Sequence, residues 1–139
     1  MSTPADVVRD LQLAAGALQR RDPAACRAAA GRALQQAPNH ADAWNLLGLA
    51  LAQLGQPVEA VTALERAVAL RPSYRNAWDN LIALQEQSGQ LDLAAASAER
   101  ALALCAPVSA ADWHRAGLLL FRAGLPIRAG ACVGEALQR

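Results

Sequence analysis

The chain contains no lysine. All 13 basic residues are arginine, set against 12 acids for a formal charge of +1. The arginines are scattered among the acids, so there is no basic tract of the kind that tracks a nucleic-acid backbone. Aromatics are scarce too, with three Trp, one Tyr and one Phe. A core must therefore be built from Leu, Val and Ala around a few large anchors. Cysteine is limited to Cys26, Cys105 and Cys132, with no CxxC spacing. An odd set of unpaired thiols argues against a disulfide framework and for a reducing, cytoplasmic setting. The longest apolar runs, such as "LLGLALA", are too short to span a bilayer, so no membrane partner is expected. Asp6, Arg9 and Asp10 interrupt the stretch where a signal peptide would be unbroken and apolar. The absence of lysine amid so much Ala, Arg and Leu fits a GC-rich bacterial genome. A length of 139 residues suits one domain, 1–139, large enough to bury a core.

Chemistry-bearing patterns are missing as well. No GxGxxG, P-loop or GxSxG motif occurs. A Cys132–His114 nucleophile pair can be imagined. Cys26 and Cys132, however, fall in stretches that want small buried residues, and Cys105 ends such a stretch, so packing is the plainer reading. His40 sits in a turn and His114 is alone in its helix, whereas a metal site needs clustered ligands. No metal, no cofactor and no catalytic residue is expected, and the chain is read as no enzyme.

What the chain has in abundance is repetition. "AWNLLGLALAQLG" begins at Ala43, "AWDNLIALQEQSG" at Ala77 and "DWHRAGLLLFRAG" at Asp112. Trp44 to Trp78 is 34 residues and Trp78 to Trp113 is 35; Pro38 to Pro72 and Pro23 to Pro57 are each 34. On that period Asp10 takes the tryptophan position of an earlier, divergent copy. The copies are then about 7–40, 41–74, 75–109 and 110–139. A fixed period of this length means stacked supersecondary units.

Each copy holds two helices. Trp44, Leu47, Leu51 and Leu54 recur at the spacing of one helical face, and Val58, Val61, Leu64 and Val68 mark a second. Gly55 stands between them at a helix end, and Pro57 opens the second helix where a missing N–H does no harm. Asp22-Pro23 and the Ser109–Asp112 pair are further start signals. Alternating patterns are absent, so no strand is expected. The spacing predicts helices near 4–20, 23–37, 41–54, 57–70, 75–88, 91–104, 110–123 and 126–138. Small residues at Gly48, Ala60 and Ala67 let the paired backbones approach, with Trp44 filling the space beside them. One copy cannot bury its apolar face alone, so copies stack.

At this point the chain resembles the tetratricopeptide repeat family. Trp44, Leu47, Gly48, Leu51, Ala60, Leu64, Ala67 and Pro72 fall on the signature positions. Leu51 stands where an aromatic is usual. Trp78, Leu81, Ala94 and Ala101 match in the third copy, where Ile82 replaces the signature glycine. Trp113, Gly117, Ala129 and Ala136 match in the fourth, and Leu13, Ala33 and Pro38 in the first.

The resemblance implies an all-α fold: a right-handed α-α superhelix, or solenoid, of four helix-turn-helix repeats. It implies a non-catalytic protein–protein interaction module that binds a protein or peptide in a concave groove lined by the first helices. Groove candidates are Leu11, Ala15 and Leu18, then Asp42, Asn45, Leu49 and Gln53. Further along they are Asn76, Asp79, Asn80, Ala83 and Glu86, then His114, Leu118, Phe121 and Arg122. Asp42, Asp79 and Glu86, with Arg122 as the one obvious counterweight, suggest a preference for neutral-to-basic segments. The basic clamp by which some members hold acidic chaperone tails is absent: Leu11, Ala15, Leu46, Asn76 and Asn80 occupy its positions.

Two alternatives stand beside this reading. The chain is an N-terminal recognition segment of a larger enzyme, such as a glycosyltransferase carrying these repeats, or it is a self-assembling scaffold. The chain ends inside the last helix, where solenoids normally place a polar cap. That leaves Val133 and Leu137 as self-association residues for a homodimer through the C-terminal helix.

Overall fold

Proline and a left-handed turn residue punctuate the described residues into eight helices: α1 Pro4–Gln19, α2 Pro23–Gln36, α3 Ala41–Gln53, α4 Pro57–Leu70, α5 Arg75–Gln87, α6 Leu91–Leu104, α7 Ala110–Arg122 and α8 Pro126–Leu137. The computed structural model describes residues 4–138, apart from the side chains of Pro126, Ile127 and Val133. No strand occurs among the described residues. The fold is all-α, and its consecutive helix packing is that of a helical solenoid.

The helices fall into two compact units, Met1–Arg71 and Pro72–Arg139. In the first, α1 packs on α2, α2 on α3 and α3 on α4. Its core is made largely of alanine. Ala14, Ala17, Cys26, Ala29, Ala30 and Ala50 form one cluster, and Val7, Ala33 and Ala43 another. Side chains this small let helix axes come close, which replaces bulk with backbone proximity. Gly48 is the extreme case: a Cβ there would lie 2.7 Å from Leu64 Cγ and 3.2 Å from the Ala60 carbonyl oxygen. At the position of the repeat tryptophan, α1 carries Asp10, only 3% exposed. Arg32 and Gln36 of α2 donate to its two oxygens at 3.3 and 3.4 Å. A buried charge must be paired and hydrogen-bonded, and here it is.

In the second unit α5 packs on α6, α6 on α7 and α7 on α8. Ile82, Ala94, Ala98, Ala116, Leu119, Leu120, Ala129 and Cys132 share its core. Trp78 is 1% exposed. A buried hydrogen bond of 2.8 Å from Ser97 to Gln85 joins α6 to α5. α7 begins with a capping box, in which the Ser109 hydroxyl accepts from the Asp112 N–H and the Asp112 carboxylate accepts from the Ser109 N–H.

The anchor tryptophans do more than fill space. The indole N–H of Trp44 donates to the Pro38 carbonyl at 2.8 Å, and that of Trp78 to the Pro72 carbonyl at 2.8 Å. The corresponding carbonyl of Pro107 accepts from Arg75 instead.

All four intra-repeat turns close the same way. The N–H after the turn residue reaches back to a carbonyl of the preceding helix: Asp22 to Ala17, Gln56 to Leu51, Gln90 to Gln85 and Leu125 to Leu120, at 2.8 to 2.9 Å. That closure needs a left-handed residue. Gly55, Gly89 and Gly124 supply it with φ of 78°, 75° and 82°, while the first repeat uses Arg21 at φ 59°. A side chain in this region costs about 1–2 kcal/mol. Arg21→Gly should therefore stabilise the first unit by roughly 1 kcal/mol in denaturant melts. A loss of stability would show that the Arg21 side chain contributes more than its backbone strain costs.

Candidate peptide-binding surface

Helix periodicity puts Arg75, Asp79 and Glu86 along one side of α5. Asp112, Arg115 and Arg122 lie along α7. The two rows meet as alternating opposite charges. Arg75 pairs with Asp112 at 3.0 Å, Arg115 with Asp79 at 3.3 Å, and Arg122 with Glu86 at 3.2 Å. Arg115 also lies 3.8 Å from Glu86. Beneath this ladder is a cavity of about 30 Å³ between α5, α6 and α7, bordered by Trp78, Ile82 and Cys105. A space of that size holds about one water molecule.

The ladder corrects the expected charge of the surface. Arg122 is not the one counterweight: Arg115 neutralises Asp79, and in the first unit Arg71 pairs with Asp42 at 3.2 Å. Three acids expected to attract a basic segment are already engaged. Beside the ladder α7 also exposes large apolar side chains. Leu118 and Phe121 of α7 are 51% and 67% exposed. His114 of α7 and Asn76 of α5 are exposed as well, and Asn80 is half-buried. In the first unit Leu49 is half-buried, but Asn45 is only 7% exposed. At that exposure Asn45 offers little surface to a partner.

Leu137 is 84% exposed, whereas the Val133 side chain lies outside the described residues. Arg71, Arg75 and Arg115 were missing from the sequence-based site. A signal for the last two exists: each pairs with an acid 36 or 37 residues away, one repeat plus one or two positions.

Burial sets the character of the thiols. All three cysteines are free and buried. Burial pushes the Cys26 thiol up to about 11 and raises Cys105 and Cys132 as well, which keeps them protonated at neutral pH. Among the described residues no three His, Cys, Asp or Glu side chains gather as metal ligands. No helix of the described residues is long and apolar enough to cross a membrane.

Burial alone would raise the Asp112 carboxyl. Hydrogen bonds from the Ser109 N–H and from Arg75 outweigh it and hold Asp112 below its ordinary value. A lowered native pKa adds stability that is present at neutral pH and lost as pH falls through that lowered value. Stability should thus decline from the ordinary carboxylate range downward. Asp112→Asn should flatten that part of the profile in urea melts from neutral to acid pH. An unchanged profile would show that Asp112 is not one of the groups responsible.

Known structures share this architecture. A crystal structure of MamA superposes with a TM-score of 0.80 at 23% identity, over 95% of this chain and 77% of that one. The first repeat domain of Spaghetti (RPAP3), solved with an HSP90 peptide bound, gives 0.76 at 15% identity, over 88% and 99%. A Thermobaculum terrenum O-GlcNAc transferase gives 0.71 at 33% identity over 86% of this chain, which spans only 23% of that enzyme. No curated protein matches the sequence. A tetratricopeptide repeat model matches residues 11–75 and 53–110, and with it more than half of the length. The chain belongs to the tetratricopeptide repeat family, whose fold is a protein–protein interaction module.

Proposed function

We propose that this chain is a non-catalytic module that binds a protein or peptide segment on the faces of its first helices. Apolar side chains anchor the segment. The observation that carries this is the pairing of exposed Leu118 and Phe121 with an adjacent ladder whose charges are already satisfied. An exposed aromatic beside neutralised charge offers contact area without competing for ions. The peptide held by the Spaghetti repeat domain is consistent with this use of the fold. Asn76, Asp79, Asn80, Glu86, His114 and Arg122 form the polar surroundings of the anchor in the second unit, and Asp42 and Leu49 belong to the first-helix face of the first unit. This reading places the chain in a bacterial cytoplasm, where the three thiols stay reduced, with neither nucleic acid nor membrane as partner.

Affinity capture from a lysate of the source organism, followed by mass spectrometry, tests it. A Leu118→Asp/Phe121→Asp variant with unchanged circular dichroism should lose the captured partner, with an affinity loss of about tenfold or more. A partner retained by that variant sinks the reading.

A second reading rests on the 33% identity to the O-GlcNAc transferase. There the chain would be a recognition segment of a longer enzyme, and a natural reading frame closing at Arg139 would exclude it. A third, a homodimer or scaffold through α8, rests on Leu137 at 84% exposure. Light scattering that finds a strict monomer at high concentration would exclude that.

A further inference from the structure

The second helices of the repeats are not equivalent, and α2 differs in charge. Its sequence, PAACRAAAGRALQQ, contains no acid. α4 carries Glu59 and Glu65, α6 Asp92 and Glu99, and α8 Glu135. In repeat register Glu65 and Glu99 fall on Gly31, and Val61 and Ala95 fall on Arg27. The first repeat has thus lost an acid and gained a guanidinium on the same helix. The outcome is a shallow depression of about 440 Å³ on the first unit, floored by Ala24, Ala28, Gly31 and Leu54 and rimmed by Arg27 and Arg32. Gly31 is not there to relieve crowding, because a Cβ would meet nothing within 4 Å.

The charges of the rim are unequal. Arg32 is engaged by Asp10 at 3.3 Å. Arg27 is exposed and has no ion pair among the described residues. Arg20 and Arg21 are exposed in the turn ahead of α2, and Asp22 between them and the helix is committed to the cap through the Ala25 N–H at 3.2 Å. A surface with surplus guanidinium and an apolar floor complements a segment that brings carboxylates and one apolar side chain. A nucleic acid would want a longer basic track than this one.

We propose that the outer face of α2 is a second docking surface, separate from the first-helix faces, for an acidic segment of a partner protein with an apolar residue seated over Gly31.

The test uses the full chain labelled with ¹⁵N and a 12-residue peptide made of three Glu-Leu-Glu-Glu units, with a peptide of lysine in place of glutamate as control. The acidic peptide should bind about tenfold tighter or better than the lysine one at low salt, a difference that shrinks as salt rises. Amide shifts should centre on Arg27, Ala28 and Gly31. Arg27→Glu should abolish binding. Gly31→Glu, which restores the residue type of the second and third repeats, should weaken binding about tenfold while raising the melting temperature. A variant that folds better and binds worse separates docking from misfolding. Equal binding of the two peptides, no binding of either, shifts centred on α1 and α3 inner residues, or unimpaired binding by Gly31→Glu would each overturn the proposal.

Discussion

Trp78→Ala is expected to cost the fold about 3–5 kcal/mol, the range for truncating a large aromatic in a core. Trp78 is 1% exposed, and its indole N–H holds the Pro72 carbonyl at 2.8 Å. Truncation therefore opens a cavity and also strands a carbonyl that the side chain had satisfied. The Arg100 guanidinium lies 5.3 Å from the ring centroid, a cation–π contact that adds about 0.5–1 kcal/mol. Trp44 holds its own carbonyl in the same way but is only half-buried, so Trp44→Ala should cost less. Denaturant melts of the two variants measure both. A Trp78 loss below about 1 kcal/mol would contradict the anchoring role.

Gly48→Ala should cost about 1–3 kcal/mol, the usual penalty for overpacking. A single methyl there would sit 2.7 Å from Leu64 Cγ and 3.0 Å from Cδ2. Leu64 is 1% exposed and has no room to retreat, while the Ala60 carbonyl oxygen at 3.2 Å closes the other side. The same change at Gly31 meets open space and should instead stabilise by about 0.5–1 kcal/mol, since alanine loses less entropy in a helix. Opposite signs for one chemical substitution, measured in the same urea titration, are the expected result. A Gly48→Ala variant as stable as the parent would mean that α3 and α4 separate freely.

The helices were legible because their punctuation is local. Pro57 and Asp22-Pro23 open helices, and Gly55 closes one, within a single turn of chain. Observed boundaries consequently fall at the expected positions or one residue inside them. The first intra-repeat turn was not legible. Arg21 does the work of glycine there, and nothing in "LQRRDP" announces a left-handed residue. Surface charge was hardest. The ladder between α5 and α7 depends on how far apart stacked helices sit, which no periodicity within one helix records. Asp79 and Glu86 hence read as acids with Arg122 alone against them, whereas Arg115 pairs with Asp79 and Arg122 with Glu86. Asn45 was a groove candidate through the family resemblance alone, and at 7% exposure it offers little surface to a partner.

The indole-to-carbonyl brace changes what a repeat boundary is. Pro38 precedes Trp44 by six residues, Pro72 precedes Trp78 by six, and Pro107 precedes Trp113 by six, although the last interval between tryptophans is longer by one. The distance kept constant runs from proline to tryptophan, and at the Pro38 and Pro72 corners the brace ties it to the helix that follows. Spare length collects upstream, between the end of α6 and Pro107. A residue added between Ser73 and Arg75 would pull the Pro72 carbonyl away from the indole that holds it. Modules cut from this chain should accordingly begin at the proline and not at the first helical residue.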